Sequence, residues 1–526
     1  MIQTKHTMRM LALALALLML FPLLVACKKR ADDPAAETTA DVAGTSASAA
    51  TTPVGEETTE YQIRYDDKGY EMDDLDIKGV TLEGKEVKIL IGTKDEIYVE
   101  PDKLTTPLNS AIYSRHMSVE KRLDCKLNLI EEQSGWDYRA SFVKRMQDLM
   151  TSDGVNLVAC YSLTHSSMMV QGLLADLGKS ENLDLSRVWW NQQMVDSCTI
   201  YDKIYFASGD ISHNLIGQSV TMFFNKDLAI SSNVAAYLQE NYEVDNLYDL
   251  VRSGEWTMDA FYNIAKLAIV DENGAKDEDD TFGYTTYGNS TDAFFHSCGM
   301  VSLQTGADGS LMISEDMGSQ KADGVMTAFQ EFLATPAAAP EGTSVGNLDA
   351  NGGYMERLWK KGQVLFASMN MASAVTENTF GKGILPMPKY DTDQEKYYTT
   401  PNFGFQLWGV TRGTAFDYED LCGVMECLAS EGYRKVIPAY FETTLQGRQD
   451  VVDDFEMLGV VRDGIVIDGG RVLDNAFETN TWSIWRRCYM YGNQYASYYS
   501  GYAQSLSEQA ASLNSMMQNM ESLYEN

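Results

Sequence analysis

Apolar and polar positions alternate with two different periods along most of the chain. An apolar run over Glu86–Gly92 predicts a strand, and the mixed segment Ser118–Leu123 suits a helix. Polar and apolar residues then alternate over Lys126–Ile130, which predicts a second strand. Two strands separated by a helix are typical of a sheet whose strands run parallel.

The next segments repeat this order. Apolar residues recur at helical spacing over Trp136–Met150, and the turn Asp153-Gly154 leads into a third strand over Val155–Tyr161. The predicted fold class is therefore α/β, with mostly parallel sheets and flanking helices. Ligands of such sheets bind beyond the carboxyl ends of the strands.

Three polar residues occupy predicted carboxyl ends. Lys94 and Asp95 follow the first strand, and Tyr161 ends the third. Because these ends meet at one edge of a parallel sheet, the three side chains are candidates for ligand binding.

A different pattern occupies the N-terminus. Lys5 and Arg9 precede an apolar run over Met10–Ala26, at the lower limit of the length that spans a bilayer. The run ends in Leu24–Cys27, which resembles the lipobox of bacterial lipoproteins. The resemblance implies that a signal peptide of residues 1–26 is removed and that the Cys27 thiol carries a diacylglyceryl group. An uncleaved signal anchor is the alternative.

The segment after Cys27 is polar. Between Cys27 and Glu60 the chain contains no Leu, Ile, Met, Phe, Trp or Tyr. Such a segment cannot bury enough apolar surface to offset its ordering entropy. Residues 27–83 are therefore predicted to be a disordered linker that holds the folded body away from the membrane.

Charge and cysteine content exclude several classes of protein. The formal net charge of −34 disfavours nucleic acid as a partner, since its phosphates would be repelled. Seven of the eight cysteines follow Cys27, and this odd number argues against a full disulfide framework. Cys160 and Cys427 lie in apolar surroundings and are predicted to be buried as small hydrophobic residues.

Seven short segments resemble, in the same order, segments of a known family. They are Leu173–Leu177, Leu183–Asn191, Lys203–Ala207, Phe223–Leu228, Gly254–Thr257, Gly362–Phe366 and Gly383–Pro388. The family is that of the extracellular solute-binding proteins of ABC importers, in particular the group-1 proteins that bind oligosaccharides. The resemblance covers nearly all of residues 84–526.

The resemblance implies a two-lobe clamp of the type II periplasmic-binding-protein kind. Lobe one is expected at residues 84–218 plus 400–432, and lobe two at 222–398 plus 435–526. The chain is expected to cross between lobes near Ser219–Asn225, Pro401–Val410 and Gly432–Ala439. Hinge closure around a bound solute follows from this architecture.

The implied function is that of a lipid-anchored binding protein on the extracytoplasmic face of the cell membrane. Such a protein captures an extracellular solute, here an oligosaccharide, and delivers it to the membrane subunits of an ABC permease. The chain is expected to act as a monomer, without catalysis and without a cofactor.

A sugar-binding cleft needs aromatic faces for pyranose rings and polar groups for hydroxyls. The late aromatic segment contains Trp482 and Trp485, where the family places a stacking residue of the second lobe. A core-packing amphipathic helix is the alternative for this segment. The other ligand-binding candidates, which follow from segment order, are Tyr287, Asn289, Asn370 and Asp210.

An acidic stretch resembles the calcium loop of some relatives. Its candidate ligands are Asp271, Asn273, Asp277 and Asp280. The loop is shorter than the 12-residue loop of an EF-hand, so a solvated acidic turn is the favoured interpretation and no metal is predicted.

Two other functions stay open. One is a lipid-anchored hydrolase acting on glycans, and the other is a binding protein for a peptide or another polar solute. No HExxH or P-loop motif occurs in the sequence. The 75 acidic residues make chance pairs of carboxylates uninformative about glycoside hydrolysis.

Overall fold

Two separate four-stranded sheets form the framework of the computed structural model. The structure describes residues 63–520, apart from 153, 272–276, 278, 287, 340–347, 350–351, 376–377, 447–450, 477–480 and 482. The predicted signal peptide and Cys27 lie outside the described residues.

The strands are short and spread along the whole body. They are β1 Lys85–Ile91, β2 Cys125–Glu131, β3 Leu157–Tyr161, β4 Val220–Asn225, β5 Phe282–Thr286, β6 Leu303–Thr305, β7 Leu311–Ile313, β8 Leu348–Asp349, β9 Gly352–Gly353, β10 Val364–Asn370, β11 Lys382–Leu385 and β12 Gln406–Val410.

Helices lie between the strands and continue to the C-terminus. They are α1 Pro107–Arg122, α2 Arg139–Thr151, α3 His165–Val170, α4 Gln192–Cys198, α5 Asn214–Gln218, α6 Lys226–Ser231, α7 Val234–Tyr242, α8 Leu247–Arg252, α9 Met258–Ala265, α10 Asp292–Ser297, α11 Gln320–Leu333, α12 Tyr354–Lys360, α13 Tyr418–Glu431, α14 Ile437–Leu445, α15 Val451–Asp463, α16 Gly469–Val472, α17 Ser483–Tyr491, α18 Tyr495–Ser500 and α19 Ala503–Met520.

The sheet of lobe one has the order β12-β3-β1-β2. Strand β1 pairs in parallel with β2 and β3, and β12 runs antiparallel to β3. Successive side chains of β1 point to opposite faces. Ile89 joins the apolar cluster that includes α1 and α13, whereas Leu90 joins the one that includes Phe142 of α2. Both faces are therefore covered by helices, as the alternation predicted.

The sheet of lobe two has the order β11-β4-β10-β5. Strand β10 pairs in parallel with β5, and β4 runs antiparallel to both β10 and β11. In each sheet, three of the four strands thus run in the same direction. The predicted fold class, α/β with two mostly parallel sheets, is confirmed.

Three chain segments connect the two sheets. Ser219, directly before β4, forms an antiparallel bridge with Pro401, which precedes β12, so the first two connections lie side by side. The third is helical: α13 continues through the π-helical turn Gly432–Val436 into α14. These segments correspond to the predicted crossings, and the limits of the two lobes stay a prediction.

The predicted disordered linker is wrong at its C-terminal end, because residues 64–83 pack on lobe one. Asp73 is 1% exposed and accepts hydrogen bonds from Arg122 at 2.6 Å and from Ser430 at 2.6 Å. Leu75 and Leu82 are also buried. The buried ion pair of Asp73 and the two buried leucines stabilise this segment enough to offset its ordering entropy. The polar composition of the linker as a whole did not indicate this.

The helix predicted at Ser118–Leu123 starts much earlier, at Pro107. The Thr106 hydroxyl accepts a hydrogen bond from the Asn109 amide, and Pro107 occupies the first helical turn. Both are helix-start signals. The segment predicted as one helix from Trp136 begins instead with the 3₁₀ turn Trp136–Tyr138, followed by α2.

All seven cysteines after Cys27 are free and buried. Cys160 and Cys427 are fully buried, as predicted. Within the described residues, no helix is both long and apolar enough to cross a bilayer.

Candidate functional site

The ends of strands from both sheets meet at the paired crossings. On the lobe-one side, the Ser162 hydroxyl after β3 donates to the Phe403 carbonyl at 2.9 Å. Gln406, the first residue of β12, donates through Nε2 to the Thr93 carbonyl after β1 at 3.3 Å. The carboxyl ends of β1 and β3 are thereby joined to the segment that leads into β12.

Three side-chain amides are hydrogen-bonded to one another across the paired crossings. Asn370, the last residue of β10, donates through Nδ2 to Gln218 Oε1 at 3.1 Å. Asn402 donates through Nδ2 to Asn370 Oδ1 at 2.5 Å. All three side chains are half-buried. Amides that offer both donors and acceptors suit a ligand rich in hydroxyl groups.

Sequence patterns identified one member of this amide cluster. Asn370 was predicted as a strand-end residue, and the structure places it there. Gln218 and Asn402 were missed, because neither the five-residue helix that ends at Gln218 nor the segment that holds Asn402 has a periodic pattern. Their only sequence signal is their position beside the predicted crossings.

Tyr161 ends β3, as predicted, and is half-buried. Burial raises the pKa of the Tyr161 hydroxyl to about 12, and the nearby guanidinium groups of Arg139, Arg471 and Arg486 act in the opposite direction. The hydroxyl is therefore neutral at physiological pH and can both donate and accept a hydrogen bond.

A buried charge network of lobe two reaches the crossings. Arg471 of α16 pairs with Asp292 of α10 at 2.7 Å, and Arg486 of α17 donates through Nε to the same carboxylate at 3.2 Å. Arg471 also donates to the Pro401 carbonyl at 3.0 Å, and its guanidinium lies 4.4 Å from the Phe403 ring centroid. One carboxylate thus holds two arginines beside the region where the lobes meet.

A pocket of about 290 Å³ lies next to this network. It is lined by Asp292, Phe295, His296, Ser302, Met317, Asp468, Arg471, Thr481 and Trp485. This volume includes space open to solvent, so the enclosed part is smaller than a typical small-molecule site. An oligosaccharide of several units would therefore need a wider opening between the lobes.

Trp485 was predicted as a stacking residue, with core packing as the alternative, and its side chain is buried. It is 4% exposed, and its indole Nε1 donates to the Thr291 carbonyl at 3.0 Å. Its ring lies 5.4 Å from that of Phe295 and 5.6 Å from that of Tyr495. The apolar face of α17 packs into the core, and Trp485 contributes to the wall of the pocket from there.

Asp210 was predicted to accept hydrogen bonds from sugar hydroxyls, but its carboxylate forms an ion pair with an arginine. Asp210 is buried and pairs with Arg462 of α15 at 2.5 Å. Burial raises the pKa of Asp210, and the Arg462 charge opposes the shift. Helix α15 packs against β11 of lobe two. The ion pair therefore connects lobe two with the segment that precedes the first crossing.

Lys94 and Asp95 lie in the 3₁₀ turn Lys94–Glu96 after β1, as predicted, but the buried carboxylate of that turn is Glu96. Lys94 pairs with Glu100 at 3.4 Å, and Asp95 is exposed. Glu96 accepts from the Ser212 hydroxyl at 2.5 Å, and burial raises its pKa. Three consecutive polar residues gave no signal of which one would point inwards.

The remaining candidates give no further site geometry. Trp482, Tyr287 and Asn273 lie outside the described residues, and Asn289 lies in the 3₁₀ turn 288–291.

Two carboxylates of the acidic stretch accept hydrogen bonds from backbone amides of the same stretch. Asp277 Oδ1 accepts from the Asp279 amide at 3.0 Å, and Asp280 Oδ2 accepts from the Asp277 amide at 3.0 Å, whereas Asp271 is exposed. In the part of the chain that the structure describes, no three His, Cys, Asp or Glu side chains are grouped to hold a metal ion.

Solved structures with a similar fold are solute-binding proteins. An ABC substrate-binding protein from Listeria monocytogenes in complex with cycloalternan is 13% identical, with a TM-score of 0.46 over 83% of this chain and 99% of that one. A family 1 extracellular solute-binding protein from Bifidobacterium longum subsp. infantis is 13% identical, with a TM-score of 0.49 over 82% of this chain and 100% of that one.

A third similar structure is the maltose/maltodextrin-binding domain from Bdellovibrio bacteriovorus bound to maltotriose. It is 12% identical, with a TM-score of 0.48 over 81% of this chain and 99% of that one. At these identities, and with TM-scores below 0.5, the similarity carries no argument about what this chain binds. No family model matches the chain, and no curated relative does.

Proposed function

We propose that this chain is the substrate-binding component of an ABC importer and that its solute is an oligosaccharide. The solute binds between the two α/β lobes, contacts both, and thereby favours the closed arrangement. The protein then delivers it to the permease subunits in the membrane.

The observation that carries this proposal is the pairing of the crossings. The bridge between Ser219 and Pro401 places the first two connections side by side, and strands on either side of it belong to different sheets. Two lobes joined by a few short segments can rotate as rigid bodies about those segments. Ligand groups at the strand ends would be covered when the lobes close.

The chemistry at the crossings supports a sugar as the solute. Amides of Gln218, Asn370 and Asn402 and the neutral hydroxyl of Tyr161 supply donors and acceptors without fixed charge. Hydroxyl-rich ligands need this mixture, because each sugar hydroxyl both donates and accepts.

We further propose that the mature chain is lipid-anchored at Cys27, outside the cytoplasmic membrane. The N-terminal sequence supports export and anchoring, and the polar segment after Cys27 supports a tether. The expected working unit is a monomer that docks on the permease, without enzymatic activity.

A thermal-shift screen over defined linear oligosaccharides tests this function. The panel comprises the malto-, cello-, xylo- and manno-series from disaccharide to hexasaccharide. A ligand that binds only the folded protein raises the midpoint of thermal unfolding. At a hundredfold excess over Kd, it adds about 2.7 kcal/mol to the free energy of unfolding. Chromatography after incubation should return the oligosaccharide unchanged, whereas cleavage products would favour a hydrolase.

A matched pair of variants places the binding site. Asn370→Ala should weaken binding by about tenfold, because one hydrogen-bonding amide is lost at the crossings. Asn241→Ala is the control: Asn241 is exposed on α7 and donates to the Tyr237 carbonyl. Equal binding by both variants would contradict a site at the crossings.

A further inference from the structure

An exposed tryptophan lies where the chain leaves β2. Trp136 is 47% exposed and begins the 3₁₀ turn Trp136–Tyr138, and Tyr138 is 45% exposed. The guanidinium of Arg139 lies 3.8 Å from the Trp136 ring centroid. Since the cation covers one face of the indole, the exposed area belongs to the other face and the edge.

The turn that holds Trp136 is fixed to the end of β3. Ser134, two residues earlier, accepts a hydrogen bond from the Tyr161 amide at 3.4 Å. Stacking on Arg139 adds a cation–π contact that restricts the ring further. A flat apolar face held in one orientation loses little entropy when a ligand covers it.

Arg139 connects this aromatic residue to the other lobe. Its Nη1 donates to Asn475 Oδ1 at 3.1 Å, and Asn475 Nδ2 donates to the Leu163 carbonyl at 2.5 Å. Asn475 follows α16, the helix that carries Arg471. Trp136 therefore stands at the rim of the region between the lobes, on the same side as Tyr161.

The pocket beside the lobe-two charge network is too small for a long oligosaccharide. Its space of about 290 Å³ includes volume open to solvent, and even this total is below that of typical small-molecule sites. Units of an oligosaccharide that extend beyond the cleft need another surface. The exposed indole face at the rim is an apolar surface of the size of a pyranose ring.

We propose that Trp136 is a stacking platform for a sugar unit that protrudes from the cleft, with Arg139 donating hydrogen bonds to its hydroxyls. The platform rests on the proposed function and adds to it a preference for longer oligosaccharides. Exposed tryptophans also occur singly on surfaces without any role. Binding as a function of ligand length separates the two cases.

The experiment is calorimetric titration of the full-length mature chain with the same four oligosaccharide series, from disaccharide to hexasaccharide. Trp136→Ala should lose about tenfold to a hundredfold in affinity for the longest members and leave the disaccharide unaffected. Trp136→Phe, which keeps a flat apolar face, should retain most of the affinity. The unfolding midpoints of both variants should stay close to that of the wild type, since the ring is exposed.

Tyr390→Ala is the matched control. Tyr390 is 39% exposed and also carries a cation over its ring, with Lys321 Nζ 4.5 Å from the centroid. Its loss should change no affinity.

Each other result overturns the platform in a distinct way. Wild-type affinity of Trp136→Ala for every length would refute the platform and leave the proposed function intact. Equal weakening at all lengths, including the disaccharide, would place Trp136 inside the cleft and contradict a platform for protruding units. Absence of any binding by the wild type would refute the proposed sugar-binding function, and the platform with it.

Discussion

Replacing Trp485 by alanine tests whether the late aromatic segment belongs to the core. The side chain is 4% exposed, packs against Phe295 and Tyr495, and donates its indole N–H to the Thr291 carbonyl. Removal leaves a cavity and takes away the indole donor to the Thr291 carbonyl. A buried tryptophan changed to alanine costs about 3–5 kcal/mol of the free energy of unfolding, and we expect Trp485→Ala to fall in this range.

The assay is urea unfolding followed by far-UV circular dichroism, with the wild type and Trp485→Phe alongside. Phenylalanine keeps an aromatic ring but lacks the N–H donor, so its loss should be smaller, near the roughly 1 kcal/mol of a net hydrogen bond plus a small cavity. Trp136→Ala provides the exposed comparison and should change stability by about 0.5 kcal/mol or less.

One result would refute this reasoning. If Trp485→Ala unfolds within about 1 kcal/mol of the wild type but loses oligosaccharide binding, the ring is not a core element. It would then be exposed in the open form, as the sequence predicted, and the burial described above would belong to the closed form alone.

Three further predictions concern anchoring, pH and the ion pair at the crossings. Cys27→Ala should release the protein from the membrane without unfolding it, which fractionation and mass spectrometry of the mature N-terminus would detect. Burial raises the pKa of Glu426, which accepts from the Trp190 indole at 2.9 Å, to about 8. The folded state therefore binds a proton at Glu426 more tightly than the unfolded state does. Glu426 should contribute a fall in stability of about 1.4 kcal/mol per pH unit between roughly pH 5 and 8, and Glu426→Gln should remove this contribution in urea melts. Asp210→Asn should cost about 2–3 kcal/mol in the same assay, because it removes the buried partner of Arg462 and leaves only the exposed Asp463, 3.1 Å away.

Each of these predictions has a result that would contradict it. An unmodified Cys27 in the mature protein, or cleavage at another bond, would exclude the lipid anchor. Parallel stability profiles of wild type and Glu426→Gln from pH 5 to pH 8 would show that Glu426 is not buried as described. For Asp210, the exposed pair of Arg145 and Glu132, 3.8 Å apart, is the control: if Glu132→Gln costs as much as Asp210→Asn, burial does not set the strength of the pair.

The architecture was predictable where one periodicity ran through a whole element. The strands β1, β2 and β3 fall within a residue or two of the predicted segments. Alternating polar and apolar residues, or a short apolar run, indicate a strand, because the apolar residues of the strand itself determine which of its faces is buried. The crossings near Ser219 and Pro401 came from the order of segments, and the bridge between them agrees with that order.

The candidate site was less predictable, because burial of a polar side chain depends on partners far away in sequence. The Asp210 carboxylate forms an ion pair with Arg462, and the Asp73 carboxylate accepts hydrogen bonds from Arg122 and Ser430. No local pattern indicates these pairings. Trp485 was misplaced for a related reason: an aromatic residue on an amphipathic helix has the same sequence signature whether it lines a cleft or fills the core.

Distances between the two lobes test the account most directly. Lys121 on α1 and Lys266 after α9 are exposed and lie in different predicted lobes. Lys121→Cys and Lys266→Cys therefore allow spin labels to be attached, while the seven cysteines after Cys27 are buried. Double electron–electron resonance would be measured with and without the oligosaccharide that gives the largest thermal shift. Solute capture by closure predicts a shorter and narrower distance distribution in its presence, and no change with a non-binding isomer. A bound oligosaccharide that leaves the distribution unchanged would contradict the two-lobe binding mechanism.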